Sequence, residues 1–342
     1  MTGQCLSARQ VGPVRWIILD NPPANFLTTD ILADLHALIR QAEQDDSVRA
    51  IVLTGNQAGR YIFHFAIPEI QQISRDARRL RLGALFRGRL SGAFMRWHNT
   101  LGLRLMQRYP AYQQLQLAVT RRLRRWVPTL YTASQVAATS LAIENCRKPT
   151  IAAINGTCNG GGTELSACFD FRFMIDDGGY TIGQPEVLIG IIAGAGGTQR
   201  VTRLLGKARA LELMLTGDQW SPQLAQQYGL LTGHFPAHAF IERVQSFAER
   251  LARRHLGAYT ATRDAVVQGL SLPLVKGLSV EMQGFVTCCD TPGTRAAIAH
   301  YGAFLASEVE GRPERPATMP EILQHLESEE FTRHFTDTPP AA

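Results

Sequence analysis

No apolar run opens this chain: its first thirteen residues, MTGQCLSARQVGP, lack the continuous hydrophobic core of a secretory leader. No stretch of about twenty apolar residues follows anywhere, which argues against a membrane-spanning helix. The six cysteines, at 5, 146, 158, 168, 288 and 289, lack metal-ligand spacing, and the adjacent Cys288 and Cys289 form no zinc motif, so no metal is expected. With no secretory context, reduced thiols in a cytoplasmic compartment are the simplest expectation. Acidic residues are nearly missing from one place. Between residues 75 and 125 there are thirteen arginines and one acid, Asp76, so the net charge of +6 belongs to that segment and the rest is net acidic. No recognised nucleic-acid module accompanies the charge, so nucleic acid is the least favoured partner.

What is present describes an α/β protein. At 342 residues and 45% hydrophobic content the chain can bury a sizeable core. Residues 14–20 (VRWIILD) read as a strand stopped by Asn21-Pro22-Pro23, and residues 28–42 follow with a helical stripe of Ile31, Leu32, Leu35, Leu38 and Ile39. Residues 48–54, 150–154 and 171–175 are nearly continuous apolar runs ending at turn residues, the pattern of strands buried on both faces. Strands alternating with helical stretches predict βα units. Residues 201–215 predict a helix, Ser221-Pro222 starts another that stops at Gly229, and residues from about 240 to 306 read as helical. Beyond Gly311 prolines and charges predict a loose tail, 311–342, with one short helix near 320–331. The organisation expected is a core over 12–255, a helical region over 256–310 and that tail.

Residues 75–130 break the alternation. Phe94, Trp97, Leu101 and Leu105 share one helical face; after Pro110, Tyr112, Leu115, Val119, Leu123 and Trp126 share another, with Arg121, Arg124 and Arg125 facing away. The segment reads as an inserted pair of basic amphipathic helices. Three roles stay open: a plain helical cover or subunit contact, an interfacial contact with acidic lipid, or docking of an acidic carrier protein or phosphates.

The densest chemical signal is residues 155–165, NGTCNGGGTEL, where a buried strand meets three glycines and a helix with Glu164 in its first turn. Glycines let the backbone approach a ligand, and free N–H groups at a helix start bind developing negative charge. A tight packing loop explains the glycines equally well. The second signal is GQPE (183–186) followed by the glycine-rich run 190–200; alone, Glu186 is more often a solvated turn residue or a cap.

Together these stretches resemble the crotonase superfamily, the enoyl-CoA hydratase/isomerase family. The matching text is KPTIAAING (148–156), GGGTEL (160–165), GQPEVLIGIIAGAGGTQR (183–200), the string from Leu215-Thr216-Gly217-Asp218 to Ala225, Gly229-Leu230, and the early PPANFL (22–27). The resemblance covers about residues 12–70 and 147–305. It implies a spiral of ββα units with a C-terminal helical region that packs subunits into a trimer or hexamer. It also implies an oxyanion hole made of the backbone N–H groups of Ala66 and Gly161. Glu164 then activates water and Glu186 exchanges a proton with the α-carbon, while His64, Phe65, Gly160 and Gly194 contact substrate. The substrate is an acyl thioester of coenzyme A or of acyl carrier protein, with no tightly bound cofactor.

The chain departs from the family pattern at four points. His64 is unusual at its place, where a packed or surface imidazole is the plainer reading and a substrate contact the sharper one. Phe65-Ala66-Ile67 stands where Gly-Ala-Asp is usual, two extra residues separate Glu164 from Glu186, and no lysine lies near Phe304. The expected activity is hydration or double-bond isomerisation of an enoyl thioester. The alternatives are a carrier-linked dehydratase or thioesterase, and a non-catalytic binding protein that touches a membrane or an acidic partner through 75–130.

Overall fold

The computed structural model describes residues 5–57 and 59–336, and the chain divides into two units: residues 1–146 with 150–246, and residues 147–149 with 247–342. The first unit begins with β1 (Leu6–Val11), β2 (Val14–Leu19), α1 (Thr29–Gln44), β3 (Ala50–Gly55) and β4 (Gly59–Arg60). Five helices follow: α2 (Ile67–Arg79), α3 (Leu82–Arg87), α4 (Arg89–Arg108), α5 (Pro110–Leu123) and α6 (Pro128–Glu144). Then come β5 (Thr150–Ile154), β6 (Gly156–Asn159), α7 (Gly161–Ser166), β7 (Phe171–Ile175) and β8 (Ile182–Gly183). The unit closes with α8 (Gly197–Thr216), β9 (Gln219–Trp220), α9 (Pro222–Gln227), β10 (Gly233–Phe235) and the start of α10 (Phe240–Ala252).

Six strands form one sheet in the order β1-β2-β3-β5-β7-β10, parallel except for the β1/β2 hairpin. Four short strands, β4-β6-β8-β9, form a second. Three times the chain passes from the large sheet to the small one and into a helix: β3-β4-α2, β5-β6-α7 and β7-β8-α8. That repeated step is the ββα spiral. Every residue of β3 and β5 is buried, as central parallel strands covered on both faces require. Helix α1 seals one side with Ile31, Leu32, Leu35 and Ile39, and its Thr28 hydroxyl accepts the Ile31 N–H at 3.2 Å.

The arginine-rich stretch folds into successive helices, α2 to α5, where a pair is expected, and α6 extends the helical run beyond what hydrophobic pattern shows. Helix α6 is buried with polar side chains turned inward: the Thr139 hydroxyl donates to the Leu32 carbonyl at 2.9 Å, and Thr132 meets Thr29 at 2.8 Å. No apolar stripe marks such a helix.

The second unit is helical: α11 (Leu256–Gly269), α12 (Leu274–Cys289), α13 (Pro292–Leu305), α14 (Met319–Glu327) and α15 (Glu329–Thr336). The tail beyond Gly311 therefore carries two helices where one short helix is expected. Thr318 and Glu321 form a reciprocal capping box that starts α14, and Glu327 pairs with Arg254 at 2.5 Å. Residues 337–342 of that tail lie outside the described residues. Among the described residues no helix is long and apolar enough to cross a membrane.

One side chain ties the sheets together where the functional loops leave them. Asn155, buried between β5 and β6, accepts the Gly55 N–H at 3.0 Å and donates to the Gly55 and Gln57 carbonyls, each at 2.9 Å. It pins the end of β3 to the end of β5. Replacing it with alanine strands buried backbone groups at both strand ends, so Asn155→Ala should destabilise the first unit by about 2–4 kcal/mol. Urea denaturation followed by tryptophan fluorescence measures this; a loss below about 0.5 kcal/mol would show that the clamp carries little.

Candidate active site

Two backbone segments meet beyond the strand ends. Residues 61–66 run from β4 towards α2, and Gly160 leads from β6 into α7. Leu27 forms an isolated parallel bridge to the first segment: its N–H donates to the His64 carbonyl at 2.9 Å, and its carbonyl accepts the Ala66 N–H at 2.8 Å. The Ala66 amide is therefore spent, and the expectation that it forms half of an oxyanion hole is corrected. Successive residues of an extended segment point in opposite directions, so a bridge that takes His64 and Ala66 turns the Phe65 N–H the other way. Among the described residues no hydrogen bond engages that N–H. Phe65 instead faces Gly161: a Cβ built on Gly161 would stand 3.1 Å from the Phe65 Cβ and 3.4 Å from its nitrogen. The Gly161 N–H, at the first position of α7, is likewise without a hydrogen bond among the described residues. Two adjacent free amides result.

The neighbouring residues show why the sequence has glycines here. Gly160 has φ +50° and ψ −120°, and a side chain on it would meet Glu186 Oε1 at 3.0 Å. His64 braces the same loop: its Nδ1–H donates to the Phe65 carbonyl at 2.7 Å, and its ring lies 4.8 Å from that of Phe26.

Glu164 is 3% exposed in the first turn of α7. Its Oε1 accepts the Ala195 N–H at 2.7 Å and the Gly197 N–H at 2.8 Å, both from the turn that starts α8. Burial raises its pKa, opposed by those two amides and by the charge of Arg200. Gly194 is exposed in the same turn, where a Cβ on it would meet only the Ile192 carbonyl at 3.8 Å.

Glu186 sits in the short 3₁₀ turn Pro185–Ile189. Burial, and then the charge of Glu164, push its carboxyl up to about 7. With its amide turned to donate, Gln184 lies 2.9 Å from both Glu186 oxygens. The electrostatic coupling brings the two acids into one field, and each has its own set of donors. The charge of Glu164 favours the protonated form of Glu186.

Gln184, Ala195, Gly197 and Arg200 lie in the runs that stand out in the sequence, but pattern assigns them no role, since their parts depend on a backbone turn. Arg200 is held by Glu144 through contacts of 2.6 and 2.9 Å and donates to the Ala195 carbonyl at 3.0 Å, fixing the turn that binds Glu164. Burial works against its charge, but Glu144 outweighs it and raises its pKa. Cys158, below the loop, has its thiol pushed up to about 12 by burial and is no nucleophile at neutral pH. Among the described residues no three His, Cys, Asp or Glu side chains form a metal-binding group. A separate cavity of about 300 Å³ beside the first turn of α2 is lined by residues including Thr29, Glu69, Gln72, Arg124 and Thr132, and holds neither Glu164 nor Glu186.

A family model described as enoyl-CoA hydratase/isomerase matches residues 125–302, just over half of the chain. Over 170 residues the chain is 35% identical to a probable enoyl-CoA hydratase of Rhizobium meliloti, covering 50% of this chain and 65% of that protein. Over 165 residues it is 34% identical to the 2,3-dehydroadipyl-CoA hydratase of Escherichia coli, covering 48% and 64%. The chain thus spans less than two thirds of the length of these curated relatives. The crystal structure of an enoyl-CoA hydratase from Bacillus anthracis matches with a TM-score of 0.65 at 26% identity, over 92% of this chain and 98% of that one.

The carboxylate pair has a measurable consequence for stability. Glu186 binds its proton more tightly folded (about 7) than at its ordinary value of 4.5, so the native state loses stability as pH rises through that window. Glu186→Gln removes the penalty. The variant should melt higher than the parent at pH 8, with the gap closing towards pH 5. A gap independent of pH would contradict the raised pKa.

Proposed function

Because the chain belongs to the enoyl-CoA hydratase/isomerase family of the crotonase superfamily, we propose that it adds water to the α,β double bond of an enoyl-CoA through a stabilised enolate. The observation that carries this reading is the pair of acids in unlike surroundings beside two unpaired backbone amides.

Hydration needs an acceptor for negative charge, a base for water and an acid for the α-carbon. The thioester oxygen accepts from the Phe65 and Gly161 N–H groups, donors fixed in place before the charge develops. Glu164, its Oε1 held by Ala195 and Gly197, takes a proton from water with its other oxygen. The water oxygen bonds to the β-carbon, and the π electrons move onto the thioester oxygen as an enolate. Glu186, whose raised pKa leaves a large protonated fraction near pH 7, then gives its proton to the α-carbon as the carbonyl re-forms. The net addition is H and OH, and the proton held by Glu164 returns to Glu186 through solvent. Isomerisation needs only the single acid at 186, so a second acid so closely tended favours hydration.

Coenzyme A as the carrier rests on the relatives, whose names specify CoA substrates. A trimer or hexamer, as the resemblance implies, belongs to the same proposal. It is supported by the exposed apolar face of α12, which includes Val275, Leu278, Met282 and Phe285.

Loss of ultraviolet absorbance as the conjugated thioester is hydrated tests the reading on a series of enoyl-CoAs. Glu164→Gln and Glu186→Gln should each lower kcat by about 10²–10⁴-fold, the usual span for removing a positioned acid or base, with KM changed far less. Parental turnover in either variant would sink the assignment. If Glu164→Gln abolished hydration but preserved double-bond migration, Glu186 would be confirmed as the carbon acid.

A further inference from the structure

The helices inserted between α2 and α6 have apolar side chains on the wrong side for a folded core. In α4 the buried residues are Gly92 and Met106, while Leu90, Phe94, Trp97 and Leu101 form a stripe on roughly the opposite face, with exposures of 85%, 59%, 61% and 40%. In α5 Thr120 is buried, and Leu115, Val119 and Leu123 are exposed at helical spacing, followed by exposed Trp126. Around these stripes all thirteen arginines of residues 75–125 are exposed, no lysine accompanies them, and the one acid, Asp76, is buried. Among the described residues only Arg79 and Arg124 of the thirteen make ion pairs.

We infer that this surface docks on an anionic lipid membrane, with the Leu90–Leu101 and Leu115–Trp126 stripes in the headgroup layer and the arginines on lipid phosphates. Charge decides among the occupants. A second copy meeting this face with the same face would set thirteen arginines against thirteen, with one buried acid on each side to offset them. A nucleic acid would leave outward-facing Leu, Phe and Trp side chains in water. A bilayer meets both needs at once, because Trp and Arg suit the boundary where an apolar layer adjoins phosphate. Neither helix is apolar enough to cross, so the contact lies in the plane of the interface. This inference does not depend on the proposed reaction.

The experiment uses the full chain with vesicles of phosphatidylcholine alone or mixed with phosphatidylglycerol. The protein should float with the anionic vesicles, dissociate as salt rises and stay free of the neutral ones. Of its four tryptophans, Trp16 and Trp220 are buried, so quenching by brominated lipid reads Trp97 and Trp126. Replacing Arg121, Arg122 and Arg125 by glutamine should weaken binding by roughly five-fold per arginine, from about 1 kcal/mol for each charge at an anionic surface. Trp97→Glu should weaken flotation with anionic vesicles and the quenching of Trp126, while enoyl-CoA turnover in solution is unchanged. Equal binding to neutral vesicles, or none to anionic ones, overturns the inference. So does capture of a soluble acidic carrier protein through this face without vesicle binding.

Discussion

The arrangement depends on one hydrogen-bonded bridge, in which Leu27 takes the His64 carbonyl and the Ala66 N–H. A buried amide without a partner costs about 1–3 kcal/mol, so a chain left to itself would turn Phe65 to find one. The bridge prevents this by fixing both neighbours, and His64 occupies the Phe65 carbonyl as well. What remains is the Phe65 N–H, beside Gly161 and without a hydrogen bond among the described residues. The glycine permits the approach because any Cβ there would press on Phe65. A donor held open this way is useful where a ligand oxygen arrives to accept from it.

The acids show the same division between what is fixed and what is left open. Glu164 has one oxygen tied to two amides of the α8 turn, which Arg200 and Glu144 lock from behind. Among the described residues its other oxygen has no such anchor. Glu186 is raised by burial and by its neighbour's charge. On the proposed reading, the unlike surroundings of the two carboxylates let one residue type serve as both acid and base.

Much of this was legible in the sequence, for reasons that can be named. Buried parallel strands show as unbroken apolar runs, so β3, β5 and β7 were plain, and α1 and α8 followed from periodicity and turn residues. Helix α6 was not legible because it buries threonine, serine and glutamine on faces that pattern reads as solvent. The strands of the second sheet, some only two residues long, carry no pattern at all. At the site, the glycines at 160–162 and the acids at 164 and 186 stood out by type and order. The amide donor did not: choosing between Ala66 and Phe65 is a question of register, and a slip of one residue reverses the direction of every N–H. Only the pairing with Leu27 decides it. The stripes of α4 and α5 were visible as stripes, yet sequence could not say that they point away from the core.

The central claim is that the Phe65 and Gly161 amides polarise a bound thioester. It is tested most directly by the infrared stretch of a carbonyl-13C-labelled acyl-CoA bound to the Glu186→Gln protein, where turnover is slowed. Two strong donors should move the stretch to lower frequency than in water. A frequency equal to or above the aqueous value would mean that those amides do not hold the oxygen.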